Sequence, residues 1–268
     1  MSSGSAILTL AMQRSGQHLV IRWIAHCAES ALHLNNCRFE RRGLQYVLAA
    51  WNARRIIYRG GEVDDASLED SVLLRTDLTG QQFDLILYSL EDPDLTELQL
   101  RRVLARPHTR GVLIMRDPFN WLASVMHRDV GNPNAVLRKL ALYKQHLRNA
   151  LGDENGTGQP LVVVNFGRFL RSESYRLDLA MELGLTVTDV AEHSLAEIAD
   201  FGGGSSFSGT AAEDNHAKKV ESRWEHFMDD ATYRELISDN ELQSLARRLF
   251  SDSPGFLEAA CALGVEGS

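Results

Sequence analysis

Cysteine is scarce: three residues, Cys27, Cys37 and Cys261, in a chain of 268. They lie far apart and form no CxxC pair, which argues against a disulfide framework and a four-cysteine zinc site; buried, reduced thiols are the expectation. Long apolar runs are missing as well, none approaching the roughly 18 to 20 residues of a membrane span. The opening residues Met1-Ser2-Ser3-Gly4-Ser5 carry no basic stretch of the kind that begins a secretory signal. Basic surplus is also absent, with 28 Lys+Arg against 36 Asp+Glu and a formal net charge of −8. That balance is wrong for a general nucleic-acid binder, which must neutralise a phosphate backbone, yet it leaves room for a local basic pocket around a small anion. The histidines show no HExxH or paired ligand spacing, so no metal site is expected and most of them read as surface or structural residues. These absences leave a soluble, cytoplasmic protein with no nucleic-acid or membrane partner as the expectation.

What is present is an ordinary globular balance, 44% hydrophobic and 24% charged, in a chain long enough to bury a core without staples. Ala6 to Met12 is a compact apolar run, followed by a polar turn, Gln13-Arg14-Ser15-Gly16. From Gln17 the pattern is helical, with Val20, Ile24, Cys27 and Ala31 on one stripe and His18, Arg22 and Glu29 on the other side. Further strands are expected at 55–59, 71–75, 84–89, 111–115 and 161–166, and helices at about 94–105, 118–130, 132–151 and 167–184. Such alternation predicts an α/β fold, a parallel sheet with helices on both faces, in one domain over residues 1–268 with a helical C-terminal part. Residues 152–159 and 201–217 read as Gly-rich loops. In sheets of this kind ligands gather at the carboxyl ends of the strands.

Two strand ends stand out. A glycine at the turn after 6–12 lets backbone N–H groups face one concavity, the helix that follows adds partial positive charge, and Arg14 adds a full one. By itself one glycine at such a turn fits an anion loop or an ordinary connection. The second is the run from Gly111 to Ser124, GVLIMRDPFNWLAS. Asp117 suits an N-cap and Pro118 the first helical position. Arg116 then sits at the strand end, and Phe119, Leu122 and Met126 form the buried stripe with Ser124 off it. Arg116 and Ser124 would face one ligand phosphate; the alternative is a surface Arg-Asp pair and a tolerated helix serine.

A strand ending in Arg-Asp-Pro with a serine six residues beyond the proline resembles the 3′-phosphate motif of sulfotransferases that use PAPS (3′-phosphoadenosine 5′-phosphosulfate). Arg14-Ser15-Gly16 resembles their 5′-phosphosulfate loop. Leu161–Leu170 resembles a later strand of that family, Ser205-Ser206-Phe207 an element near the adenine, and Val220–Trp224 a segment that closes over the nucleotide. The resemblance runs from residue 6 to about 250 and implies a P-loop-like three-layer fold and an enzyme with PAPS as donor and no metal. It implies that Arg14, Ser15, Gly16, Gln17, His18 and Leu19 hold the 5′ end and that Arg116 and Ser124 grip the 3′-phosphate. Phe166, Ser206, Phe207, Lys218 and Lys219 complete the nucleotide site. Arg14 would also act in catalysis, Ser89 would approach the leaving group, and Glu91 is the first choice for the general base, ahead of Asp64, Asp65 and His33. The acceptor would be a small molecule or carbohydrate bearing a hydroxyl or amine. Arg14 in place of lysine, Gln17-His18 in place of two hydroxyl residues, and Asn165-Phe166-Gly167-Arg168 without the usual tyrosine and acid depart from the pattern. An ATP-dependent small-molecule kinase and a degenerate, non-catalytic nucleotide-binding protein are the alternatives, although the Walker A lysine is missing.

Overall fold

The computed structural model describes residues 5–42, 45–50, 54–59, 62–67, 83–154, 156–195 and 221–264. The chain begins with β1 (Ser5–Ala11) and α1 (Gln17–His26), then β2 (Ser30–Leu34), β3 (Cys37–Arg42), β4 (Gln45–Ala50), β5 (Arg54–Arg59) and β6 (Glu62–Ser67). After β7 (Leu85–Glu91) come α2 (Leu98–Leu104), β8 (Thr109–Met115), α3 (Pro118–Arg128), α4 (Pro133–Ala150) and β9 (Leu161–Asn165). The remainder is helical: α5 (Phe166–Arg171), α6 (Glu173–Leu183), α7 (Asp189–His193), a 3-10 turn at Arg223–Phe227, α8 (Ala231–Ile237), α9 (Asn240–Phe250) and α10 (Pro254–Ala262). Among the described residues no helix is long and apolar enough to cross a membrane.

The main sheet has the order β6-β5-β2-β7-β1-β8-β9, with β3 and β4 forming a separate antiparallel pair. The five strands from β2 to β9 are parallel, while β5 and β6 are antiparallel additions at the edge. The expected parallel sheet is therefore the central part of a mixed one, and 55–59 lies outside that part. β1 is buried on both faces. Leu8 and Leu10 join the cluster formed with α2, α3, α4 and the C-terminal helices; Ile7 and Ala11 join that of α1, α5 and α6. Each fully buried aliphatic side chain of this kind contributes about 1.5–3 kcal/mol. Helices on both faces of a largely parallel sheet bear out the α/β reading.

Register sets the site. Ala11 pairs with both Glu91 of β7 and Ile114 of β8, and Met115 pairs with Asn165. The chain therefore leaves β1, β7, β8 and β9 along one edge, where α1, which follows β1, packs on one face of the sheet and α2 and α3, which follow the neighbouring β7 and β8, pack on the other.

Three expectations need correction. The helix from Gln17 does not reach Ala31: it stops at His26, and Ala31 lies in β2. Ser30 opens β2 instead of continuing the helix: both its N–H and its hydroxyl bond Asp84 Oδ2, at 3.2 and 2.8 Å, beside the start of β7. The single helix over 167–184 is two, broken at Ser172, whose extended backbone and hydroxyl cap α6 through the Tyr175 N–H. The polar side assigned to α1 is not simply solvated: Arg22 is buried and His18 half-buried, with α7 packed against α1, and Ser124 of α3 is buried where the 3-10 turn packs against it. The expected strand 71–75 lies outside the described residues, as do Ser206, Phe207, Lys218 and Lys219.

Candidate functional site

The loop between β1 and α1 is tightly determined. Ser15 is fully buried, and its N–H and hydroxyl both donate to the Met12 carbonyl, at 3.2 and 2.7 Å. Ser15 thus closes the turn with its own side chain. Gly16 follows at φ +85, and a Cβ there would overlap the Phe166 ring. Left-handed backbone and a facing ring together demand glycine at this position. No side chain caps α1 and no acid lies in its first turn, so its N-terminal amides and dipole carry uncompensated partial positive charge into the loop. Arg14 is also left-handed, at φ +72, a strain of about 1–3 kcal/mol for a non-glycine residue. Its carbonyl accepts a 3.2 Å bond from Arg116 Nη1, which helps hold that conformation.

Beside the loop lies a group of guanidiniums. Asp117 caps α3 by accepting from the Asn120 N–H at 2.9 Å, as the sequence predicts, and Pro118 opens the helix. Arg116 is buried at the end of β8, its Nη1 donating to Ser124 Oγ at 3.3 Å. Arg223 reaches the same hydroxyl from the C-terminal segment at 2.8 Å, and Ser124 donates onward to the Asn120 carbonyl at 2.9 Å. One hydroxyl, with one proton and two lone pairs, therefore serves two arginines and a carbonyl. Burial pushes Arg116 down to about 10 against the pull of Asp117. Arg223 is pushed down to about 8, first by burial and then by Arg116 and Arg14. Burial and Arg128 lower Arg14 as well. The nearest carboxylates are drawn elsewhere, Asp117 onto the Asn120 side-chain amide and Glu221 onto Arg171. Three crowded, desolvated cations are a place where an anion gains strongly.

Arg223 and Asn120 were not singled out from the sequence. Asn120 ties the C-terminal segment to α3: its Nδ2 donates to the Glu221 carbonyl at 2.8 Å and its Oδ1 accepts from the Arg223 N–H at 2.8 Å. The only sequence signal for Arg223 is its place in Val220–Trp224, directly before a tryptophan that the core buries. Nothing in the sequence marks Asn120.

Across the loop, at the end of β7, stands Glu91. Gln17 Nε2 donates to its Oε1 at 2.5 Å and Gln13 Nε2 to its Oε2 at 3.0 Å; His18 Nε2 lies 3.9 Å away. Burial lowers His18, with Glu91 opposing. Asp92, left-handed at φ +51, accepts from the Gln13 N–H at 2.8 Å. Arg14 lies within electrostatic reach of Glu91 as well as of Arg116 and Arg223, so it bridges the two sides.

The structure thus gathers Arg14, Ser15, Gly16, Gln17, His18, Glu91, Arg116, Ser124 and Phe166 along one sheet edge. Their roles are uneven. The Gln17 side chain is spent on Glu91, and Leu19 enters through its backbone, its N–H bonding the Gly16 carbonyl at 3.2 Å. Phe166 starts α5, buried against Gly16, with the Arg116 guanidinium carbon 6.0 Å from its ring centre. Ser89 is fully buried and held by His33 at 3.0 Å, Asn35 at 3.1 Å and the Asn36 N–H at 3.1 Å, a junction between β7 and β2 with its hydroxyl already engaged. His33 is sealed beside it and pushed down to about 3 by burial and then by His18. Asp64 and Asp65 lie in β6, the outermost antiparallel strand of the main sheet. No family model matches the chain, and no curated protein matches it either.

Proposed function

We propose that the protein transfers a sulfuryl group from PAPS to a hydroxyl or amine of a small-molecule or carbohydrate acceptor, on a P-loop-like three-layer fold. The observation that carries this reading is the convergence of Arg14, Arg116 and Arg223 beside the uncapped start of α1, with Glu91 on the other side of the same loop. A nucleotide with phosphate at both ends of its ribose answers that demand for anions better than a singly charged ligand does. Bound there, the donor supplies a sulfuryl group whose transfer leaves adenosine 3′,5′-bisphosphate.

The chain's own groups then divide the work. Arg116 and Arg223, tethered by Ser124, would hold the 3′-phosphate, since planar guanidiniums match oxyanions. Arg14 and the amides at the start of α1 would offset charge that grows on the leaving oxygen, a preorganised electrostatic contribution. Glu91 would take the proton of the acceptor as its oxygen or nitrogen bonds to sulfur. Gly16 and Phe166 keep the loop close to the sheet edge.

Thermal shifts decide among ligands, because whatever binds the folded state raises its melting temperature. Adenosine 3′,5′-bisphosphate and PAPS are expected to stabilise the protein and ATP with Mg²⁺ to do so less. Preference for ATP with Mg²⁺ overturns the proposal in favour of a kinase, and stabilisation by PAPS without sulfated product on any acceptor points to a non-catalytic binder.

A further inference from the structure

Gln17 is 3% exposed at the first position of α1, and its Nε2 lies 2.5 Å from Glu91 Oε1. Gln13 supplies the matching bond to Oε2 at 3.0 Å, so each carboxylate oxygen receives one amide N–H, from residues on either side of the glycine turn. Gln13 is anchored at every polar atom. Its Oε1 accepts from Arg128 and Lys139, its N–H donates to Asp92, and its carbonyl accepts from the Trp121 indole. Gln17 is not balanced in this way: its Oε1 is buried and has no hydrogen-bond partner among the described residues. Turning the amide over would set oxygen against oxygen at Glu91, so the carboxylate fixes its orientation. A buried acceptor left unsatisfied lowers stability, and an apolar side chain of similar length would serve the fold better. Buried polar groups left in that condition ask for a role other than stability.

We infer that Gln17, together with Gln13, is a positioning clamp that holds the Glu91 carboxylate in one orientation for proton abstraction, at the expense of fold stability. The inference rests on the role proposed above for Glu91. A glutamate side chain has three freely rotating bonds, and a base that wanders loses the alignment on which proton transfer depends. Two donors from two ends of one rigid loop remove that freedom without adding a charge of their own, so the clamp orients the basic group without itself neutralising it.

Gln17→Met tests the clamp, since it keeps the backbone amide and the length of the side chain. Its melting temperature is expected to equal or exceed that of the unaltered protein, and its affinity for adenosine 3′,5′-bisphosphate is expected to stay the same. The kcat for sulfuryl transfer is expected to fall by about tenfold to a hundredfold, the effect of a misplaced reacting group. In a Glu91→Gln background the same substitution is expected to add no further loss. A lower melting temperature with unchanged kcat, or an equal loss of kcat in both backgrounds, overturns the clamp. If the unaltered protein sulfates no acceptor, the functional proposal fails, and the clamp is read from crystal structures instead. One Glu91 rotamer in the unaltered protein and several in Gln17→Met support it; one rotamer in both overturns it.

Discussion

The two sides of the β1–α1 loop solve opposite electrostatic problems. On the β8 side, three guanidiniums are desolvated close together, and neutral oxygens from Ser124 and Arg14 do part of the work of holding them. On the β7 side, one carboxylate is held by neutral amides, and the histidine sealed behind it in β2 is driven towards its uncharged form. One side gathers like charge that an incoming anion would relieve. The other steadies a single charge without cancelling it. On the proposed function, nucleotide binding would belong with the first arrangement and proton transfer with the second, and the short loop between them touches both.

Substitutions that strike one side and spare the other test this division. The largest effect is expected from Glu91→Gln: turnover should fall by about a hundredfold to ten-thousandfold, the range of general-base losses, while PAPS still binds. Full activity in that variant would move the base elsewhere. Gly16→Ala strikes the shared loop, because the added methyl meets both a left-handed backbone and the Phe166 ring. Denaturant unfolding should record a loss of about 2–4 kcal/mol, together with weaker nucleotide binding; an unchanged midpoint would refute the close contact. Arg116→Ala should weaken adenosine 3′,5′-bisphosphate by about tenfold to a hundredfold and leave the fold intact, since it removes one of three mutually repelling cations. Calorimetry giving an unchanged affinity would sink the 3′-phosphate assignment.

The most gradual effect, small at any one step, concerns pH. His33 in the folded protein is pushed down to about 3 from its ordinary value of 6.5. The unfolded chain therefore binds more protons between those values. Stability from this residue is complete above pH 6.5 and is lost as pH falls towards 3, at about 1.4 kcal/mol per pH unit within that interval. His33→Gln should flatten the acid limb of a stability–pH curve by that amount, and an identical slope would show that His33 does not remain neutral.

The strands that build the site were legible because they are short, apolar and flanked by polar residues; β1, β7, β8 and β9 follow the expected runs to within a few residues. Asp117 and Pro118 marked the start of α3 correctly, since capping is a local matter. β2 was hidden because Cys27 and Ala31 continue the helical spacing of α1, and the bonds that set Ser30 at the start of β2 come from Asp84, far along the chain. The cationic side was half legible. Arg116 is announced by its strand end, whereas Arg223 is buried where Asn120 ties its segment to α3, a contact between residues far apart in the chain. The partners of Glu91 were equally out of view: Gln17 was read towards the phosphates and Gln13 only as part of the turn, and their choice of a carboxylate depends on the β1–β7 register.

The contact between Gly16 and Phe166 has a consequence for the order in which the protein is made. The loop that begins the chain's first helix has its packing surface in the residue that follows the last parallel strand, and one of its three guanidiniums comes from residue 223. As the chain emerges during synthesis, β1 and α1 wait for most of the sequence before their loop can be braced. A fragment ending before Leu161 would retain four of the five parallel strands and lack the ring beneath Gly16. The loop is thus fully braced only when residues on both sides of Leu161 are present, and a shortened fragment is expected to lack both the ring beneath Gly16 and the guanidinium of Arg223.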